Sequence, residues 1–336
     1  MPKARYEEDL SDMNLIDMHC DTLWKLLDLG GEGDFVHNNC DISLSKLQKA
    51  DSLAQFFACY VGMMQMPGNT NEERYDAGYQ HVLKAIDVFH QQMKNNPELI
   101  AQARNYDEIM ALKAQGKMAA VLTVEEGGII NNHMSRVDHL YDEGVRLITL
   151  MWNYENCLGY PNSLDMKIMR KGLKPFGIEV VKHMKEKKML IDVSHSSDGG
   201  FWDAMTYARG YVVASHSNCR ALCPHPRNLS DDMIRAMANA GGVSGLNLYG
   251  AFLDGSTEST LDAMVAHVKH MIKVGGSDFP AIGTDFDGFD GMTRMDVKDI
   301  GEMNILLEAL EKAGLSTGQI EKIWYGNVLR VLKETL

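Results

Sequence analysis

A single-domain α/β fold, a (β/α)8 TIM barrel with parallel strands spanning residues 1–336, is what this sequence predicts, on three observations. Eight short apolar runs rich in β-branched residues recur along it. Segments of helical periodicity separate most of them. The length of 336 residues suits one barrel of roughly 250 residues with insertions. No Pro/Ser-rich linker, short-period repeat or low-complexity tract marks a second domain.

The first strand is expected at residues 15–19 and the second at 53–61. Longer loops follow them, at 28–44 and 63–73, and are expected to overhang one mouth of the barrel. Val82, Ile86, Phe89 and Met93 recur at helical spacing and predict an outer-ring helix. The third strand, 119–125, belongs to an unbroken apolar run, as suits a strand covered on both faces. Further strands are expected at 146–152, 190–195, 211–216 and 242–249. Met264, Val268, Met271 and Ile272 mark another outer helix before the eighth strand at 281–285. The last segment, 317–336, places Ile320, Ile323, Trp324, Val328 and Val331 on one stripe, expected to close the barrel from outside.

In parallel α/β folds the site lies at the carboxyl ends of the strands, where this sequence turns polar. The first run ends in His19, Cys20 and Asp21, the third on Glu125, the fifth on His195, the sixth on His216 and the eighth on Asp285. Alone, each has an ordinary explanation as a hydrogen-bonded or capping residue. Metal-ligand types at five of eight strand ends together predict a metal centre. His19 and Asp21, two apart, share a strand face and can address one ion. Three imidazoles and two carboxylates suit zinc or a related divalent ion. Two ions bridged by Glu125, with hydroxide between them, use all five and lower the pKa of the bridging water from about 15.7 towards about 7. Asp285 is left to act as general base and then general acid.

Composition narrows the alternatives. With 33 Lys+Arg against 46 Asp+Glu the net charge is −13, which argues against nucleic acid or an anionic membrane as partner. No run of 18 apolar residues occurs, and the first ten residues lack the apolar core of a secretory signal, so the expected location is cytoplasmic. The six cysteines are then expected as free thiols. Cys219 and Cys223 have zinc-like spacing, but no second Cys/His pair at ribbon spacing follows them.

The motifs His19-Cys20-Asp21, Val124-Glu125-Glu126-Gly127-Gly128, Asp192-Val193-Ser194-His195, Ser215-His216-Ser217, Arg227-Asn228 and Gly283-Thr284-Asp285-Phe286-Asp287-Gly288 together resemble the membrane dipeptidase (renal dipeptidase) family, peptidase family M19, of the amidohydrolase superfamily. The tail Gly326-Asn327-Val328-Leu329-Arg330-Val331 resembles that family's C-terminal helix, so the likeness runs over nearly the whole chain. The resemblance implies a binuclear zinc centre that hydrolyses dipeptides, including ones with a D-residue at the C-terminal position. It implies His19 and Asp21 on one zinc, His195 and His216 on the other, Glu125 bridging and Asp285 as the catalytic aspartate. Arg227 falls where the family holds the substrate carboxylate, a task suited to a planar bidentate donor. Tyr249 falls near the scissile group. Asp17 and Asp287 are expected to orient the ligands.

One position departs. Where the family's type member has a substrate-contacting histidine, this chain has Trp152 followed by Asn153. The indole N–H or the Asn153 amide would have to donate to the oxyanion instead. A homodimer through the outer helices is compatible with the resemblance, although no heptad seam marks an interface. Two alternatives stay open: a related amidohydrolase acting on another amide or lactone, such as an acylamino-acid hydrolase or deaminase, and a non-catalytic metal-binding scaffold.

Overall fold

The computed structural model describes residues 13–28 and 33–336. Eight parallel strands wind in chain order: β1 (Leu15–Cys20), β2 (Ser52–Tyr60), β3 (Met118–Glu125), β4 (Val145–Thr149), β5 (Leu190–Asp192), β6 (Val212–Val213), β7 (Ser244–Leu246) and β8 (Pro280–Ile282). Each pairs with the next from β1 to β6, β7 pairs with β8, and β8 returns to β1. A single parallel bridge, Ala214 to Ser244, joins β6 to β7 and completes the circle. Gly245 and Gly283 make this corner possible. A Cβ on either would collide with the Ser215 carbonyl oxygen, so the backbones there approach as only glycine allows.

The predicted strands are all present, but five end about three residues early. β4 stops at Thr149, β5 at Asp192, β6 at Val213, β7 at Leu246 and β8 at Ile282. Beyond those points the chain leaves the ladder, and His195 (φ 68°) and Asp285 (φ 64°) take the left-handed conformation that L-residues avoid. His195, His216 and Asp285 therefore stand on the turns that follow the strands, rather than on the strands. A short strand, Ile100–Gln102, that the sequence reading missed adds parallel to the start of β3.

The stripes carry the outer ring as expected. Val82, Ile86 and Phe89 are buried on the helix Asn71–Asn95, and Met264, Val268 and Met271 on Leu261–Gly275. The first of these helices starts inside the predicted 63–73 loop, because Thr70 and Glu73 form a reciprocal capping box. Of the 28–44 loop, residues 29–32 lie outside the described residues.

The C-terminal segment differs from its expected place. Helices Thr317–Glu321 and Asn327–Thr335 run through a π-helical turn at Lys322–Gly326. Val328, Val331 and Leu332 join the inner cluster of Ile16, Phe56, Val121, Leu147 and Val213. Asn327 Nδ2 donates to the Ser277 and Pro280 carbonyls and Arg330 to that of Gly241, all at the entries to β7 and β8. The segment thus closes the amino-terminal mouth of the barrel instead of covering its side. Periodicity reveals an apolar face but not what that face will meet.

Candidate metal centre

At the carboxyl mouth the five predicted ligands converge. Groups able to hold an ion, with all ligand atoms within 4.8 Å of one another, are His19–Asp21–Glu125, Glu125–His195–His216 and His19–His216–Asp285. The first two share Glu125. Its Oε2 lies 3.6 Å from His19 Nε2, and its Oε1 lies 3.2 Å from His195 Nε2 and 3.4 Å from His216 Nε2. His19 Nε2 is also 3.4 Å from Asp21 Oδ2 and 3.8 Å from Asp285 Oδ1. Each element contributes by its own route. Glu125 is the last residue of β3, on the inward face with Val121, whereas Asp21 lies one residue past β1, its N–H bonded to the Phe286 carbonyl.

The hydrogen bonds set the tautomers. Asn153 Oδ1 can only accept, so His195 carries its proton on Nδ1, 2.9 Å away. Ser215 Oγ donates to Asp192 Oδ2 at 2.6 Å and so accepts from His216 Nδ1 at 2.6 Å. Both Nε2 atoms are then bare, and they face each other at 3.1 Å. Burial holds both imidazoles well below their ordinary pKa, aided by the positive charges of Arg227 and His19. Two neutral lone pairs aimed at one point repel unless a cation lies between them. Nδ1 and Nε2 of His19, Oδ1 of Asp21 and Oε1 of Glu125 are buried with no hydrogen-bond partner. Atoms of this type are rarely left unpaired in a fold, so the residues present fit a pair of divalent ions.

The charged neighbours point the same way. Burial opposes a charge on His19, yet Glu125 and Asp21 overcome it and raise its pKa well above the usual range. Burial likewise raises Glu125 and Asp285, with His19 partly opposing it. A cation in their midst would stabilise the carboxylates in place of the imidazolium.

Around this centre lies a cavity of about 280 Å³, lined in part by Trp24, Tyr60, Trp152, Asn153, Tyr249 and Asp285. Trp152 and Tyr249 line its sides. Asn153 is placed there too, although its oxygen is engaged with His195. Arg227 is buried, its guanidinium donating to Ser217 Oγ and the His216 carbonyl while Nε keeps no partner. Asp285 Oδ2 accepts from Asn247 Nδ2 at 2.8 Å, leaving Oδ1 towards the centre.

Asp17 and Asp287 do not reach the ligand rings, contrary to expectation. Asp17 accepts from the Thr284 N–H and hydroxyl, the Gln55 amide and, at 3.4 Å, the His19 N–H, so it fixes backbone at the ends of β1 and β8. Asp287 accepts from the Thr22 hydroxyl and the Asp41 N–H, tying the loops after β1 and β8 together. The sequence reading also missed Asp192, Ser215 and Asn247, which do the orienting, and Glu126. That buried carboxylate, with φ 106°, accepts from the N–H groups of Gly128 and Trp152 and from Asn156 Nδ2. A polar residue directly after a strand was its only visible signal.

Comparison with known proteins gives a consistent result. A family model described as membrane dipeptidase (peptidase family M19) matches residues 3–336. An uncharacterized Klebsiella pneumoniae protein encoded in the pqqA 5′ region is 35% identical over 74% of this chain and 96% of its own. An uncharacterized dipeptidase of Schizosaccharomyces pombe is 29% identical over 100% of this chain and 83% of its own. Among solved structures, a metallo peptidase of Rhodobacter sphaeroides, liganded with a phosphinate mimic of L-Ala-D-Ala, superposes with a TM-score of 0.85 at 22% identity, covering 96% of this chain and 99% of that one.

Proposed function

The chain belongs to the membrane dipeptidase family, peptidase family M19, and from that premise we propose that it is a binuclear zinc dipeptidase whose ions share Glu125. The observation that carries this reading is the pair of ligand groups meeting at that one carboxylate, with the bare Nε2 atoms of His195 and His216 turned towards it. His19 and Asp21 would hold one ion, His195 and His216 the other. When bound, the pair would polarise a peptide carbonyl and supply a water made acidic enough to attack near neutral pH.

The chain's own groups supply the rest. Arg227, buried and with Nε unpaired, is a cation that a substrate carboxylate would neutralise. Asp285, steadied at Oδ2 by Asn247, has Oδ1 free to take a proton and pass it to the leaving amine. Tyr249, Trp152 and Asn153 line the cavity within reach of a developing oxyanion. At about 280 Å³ the cavity sits just below the usual ligand-pocket range of roughly 300–1,000 Å³, which suits two residues better than three. Among the described residues no helix is long and apolar enough to cross a membrane.

The test is metal analysis of the purified protein together with assays on L,L- and L,D-dipeptides. Two zinc equivalents per chain and chelator-sensitive hydrolysis are expected. Turnover that persists after complete metal removal, or a protein that binds zinc and cleaves no dipeptide, would overturn the reading.

A further inference from the structure

The cavity beside the metal centre is lined by two groups of aromatic rings. One comes from the early strands: Trp24 follows β1, Tyr60 ends β2 and Trp152 follows β4. Trp24 and Tyr60 meet edge to face at 5.5 Å between centroids, and Tyr60 and Trp152 at 5.0 Å. The other comes from the late strands, with Tyr249 packed on Phe252 at 5.0 Å and on Phe289 at 5.1 Å.

The chemistry distinguishes the walls. Asp285 follows β8, and the Arg227 guanidinium lies 5.6 Å from the Phe252 ring, so both groups belong to the late-strand side. If Arg227 takes the substrate carboxylate and Asp285 serves the leaving amine, the C-terminal residue lies against that side. The N-terminal residue must then project towards Trp24, Tyr60 and Trp152.

We propose that Trp152, Tyr60 and Trp24 form a side-chain subsite that selects dipeptides with an aromatic or large apolar N-terminal residue; this rests on the dipeptidase reading above. Half-buried rings meeting edge to face present both faces and edges to a guest ring, the arrangement aromatic pairs favour. The Trp152 ring is not loose. Its backbone N–H is held by Glu126 Oε2 at 3.1 Å, and Glu126 is itself fixed by Gly128 and Asn156. Its neighbour Asn153 is tied to His195, and its own ring lies 6.0 Å from that imidazole. The backbone that carries the indole is therefore held by hydrogen bonds on both sides. A wall so fixed discriminates by shape without first having to be ordered.

The test compares kcat/KM for L-Phe-L-Ala and Gly-L-Ala with zinc-loaded protein, keeping the C-terminal residue constant. Wild type should favour the Phe substrate by about tenfold or more, the scale expected for burying one large side chain. Trp24→Ala should reduce the Phe/Gly ratio about tenfold while Gly-L-Ala is still cleaved, and Trp24→Phe should restore most of it. A ratio near one in wild type, or the wild-type ratio persisting in Trp24→Ala, overturns the subsite alone. Failure of wild type to cleave either substrate or any other dipeptide overturns the dipeptidase reading and the subsite with it.

Discussion

Ser215→Ala removes one hydroxyl and, if the centre holds two ions as proposed, should weaken the binding of one of them. Ser215 Oγ accepts a hydrogen bond from His216 Nδ1 and donates one to Asp192 Oδ2, both at 2.6 Å. His216 is 1% exposed, so water cannot take over. In the variant the imidazole has two choices. It can keep its proton on Nδ1 as a buried unsatisfied donor, at roughly 1–3 kcal/mol, or move it to Nε2 and surrender the lone pair that faces Glu125. The cheaper choice still weakens metal binding by an amount of that order, about 5- to 150-fold, in line with the roughly 10–100-fold typical of losing a ligand's hydrogen-bond partner. Zinc titration against a chromophoric chelator near neutral pH measures it. One equivalent should weaken and the other stay tight, with activity returning as zinc is raised. Both equivalents binding with wild-type affinity would refute the reasoning.

Asp285→Asn keeps the shape and a partner for Asn247, so metal content should hold while kcat falls by about 10²–10⁴; mass spectrometry of bound metal and steady-state rates check the two halves. At Gly288, which has no side chain to hinder the Asp21 and Asp285 carboxylates, a Cβ would collide with both, so Gly288→Ala should abolish activity in a protein that still melts cooperatively. Asp287 is pushed up to about 6 from 3.8 by burial and by the neighbouring Asp41. The folded state therefore holds its proton where the unfolded chain releases it, so this group favours folding below about pH 4 and loses that contribution as pH rises through about 6. Asp287→Asn can still accept from Asp41 N–H and donate to Thr22, so its melting temperature relative to wild type should rise between pH 5 and pH 8; a gap that shrinks over that interval contradicts this.

What could be read from the chain alone depended on how local each signal was. The five convergent candidate ligands were visible because each follows an apolar run, and parallel strands deliver their carboxyl ends to one rim. The backbone that aims them was not visible. His195 and Asp285 sit at positive φ, held there by long-range contacts, so the strands were drawn three residues too long. The shared-face argument for His19 and Asp21 accounts only in part for their convergence, since Asp21 has left the strand and is positioned by Phe286. The orienting groups were hidden for another reason. Asp192 acts on His216 across a strand boundary, through Ser215, and Asn247 acts on Asp285 from the next strand. Such pairings exist only once the barrel closes. The aromatic wall is similar, because Trp24, Tyr60 and Trp152 are far apart in sequence and meet only at the rim.

Among the described residues, Val328, Val331 and Leu332 stopper the far end of the barrel. A substrate and both liberated amino acids would pass through the carboxyl mouth, by the cavity that Trp152 and Tyr249 help line. Each departing product must retrace the path of the next arrival, so traffic through that opening, and competition by the products themselves, is built into the architecture.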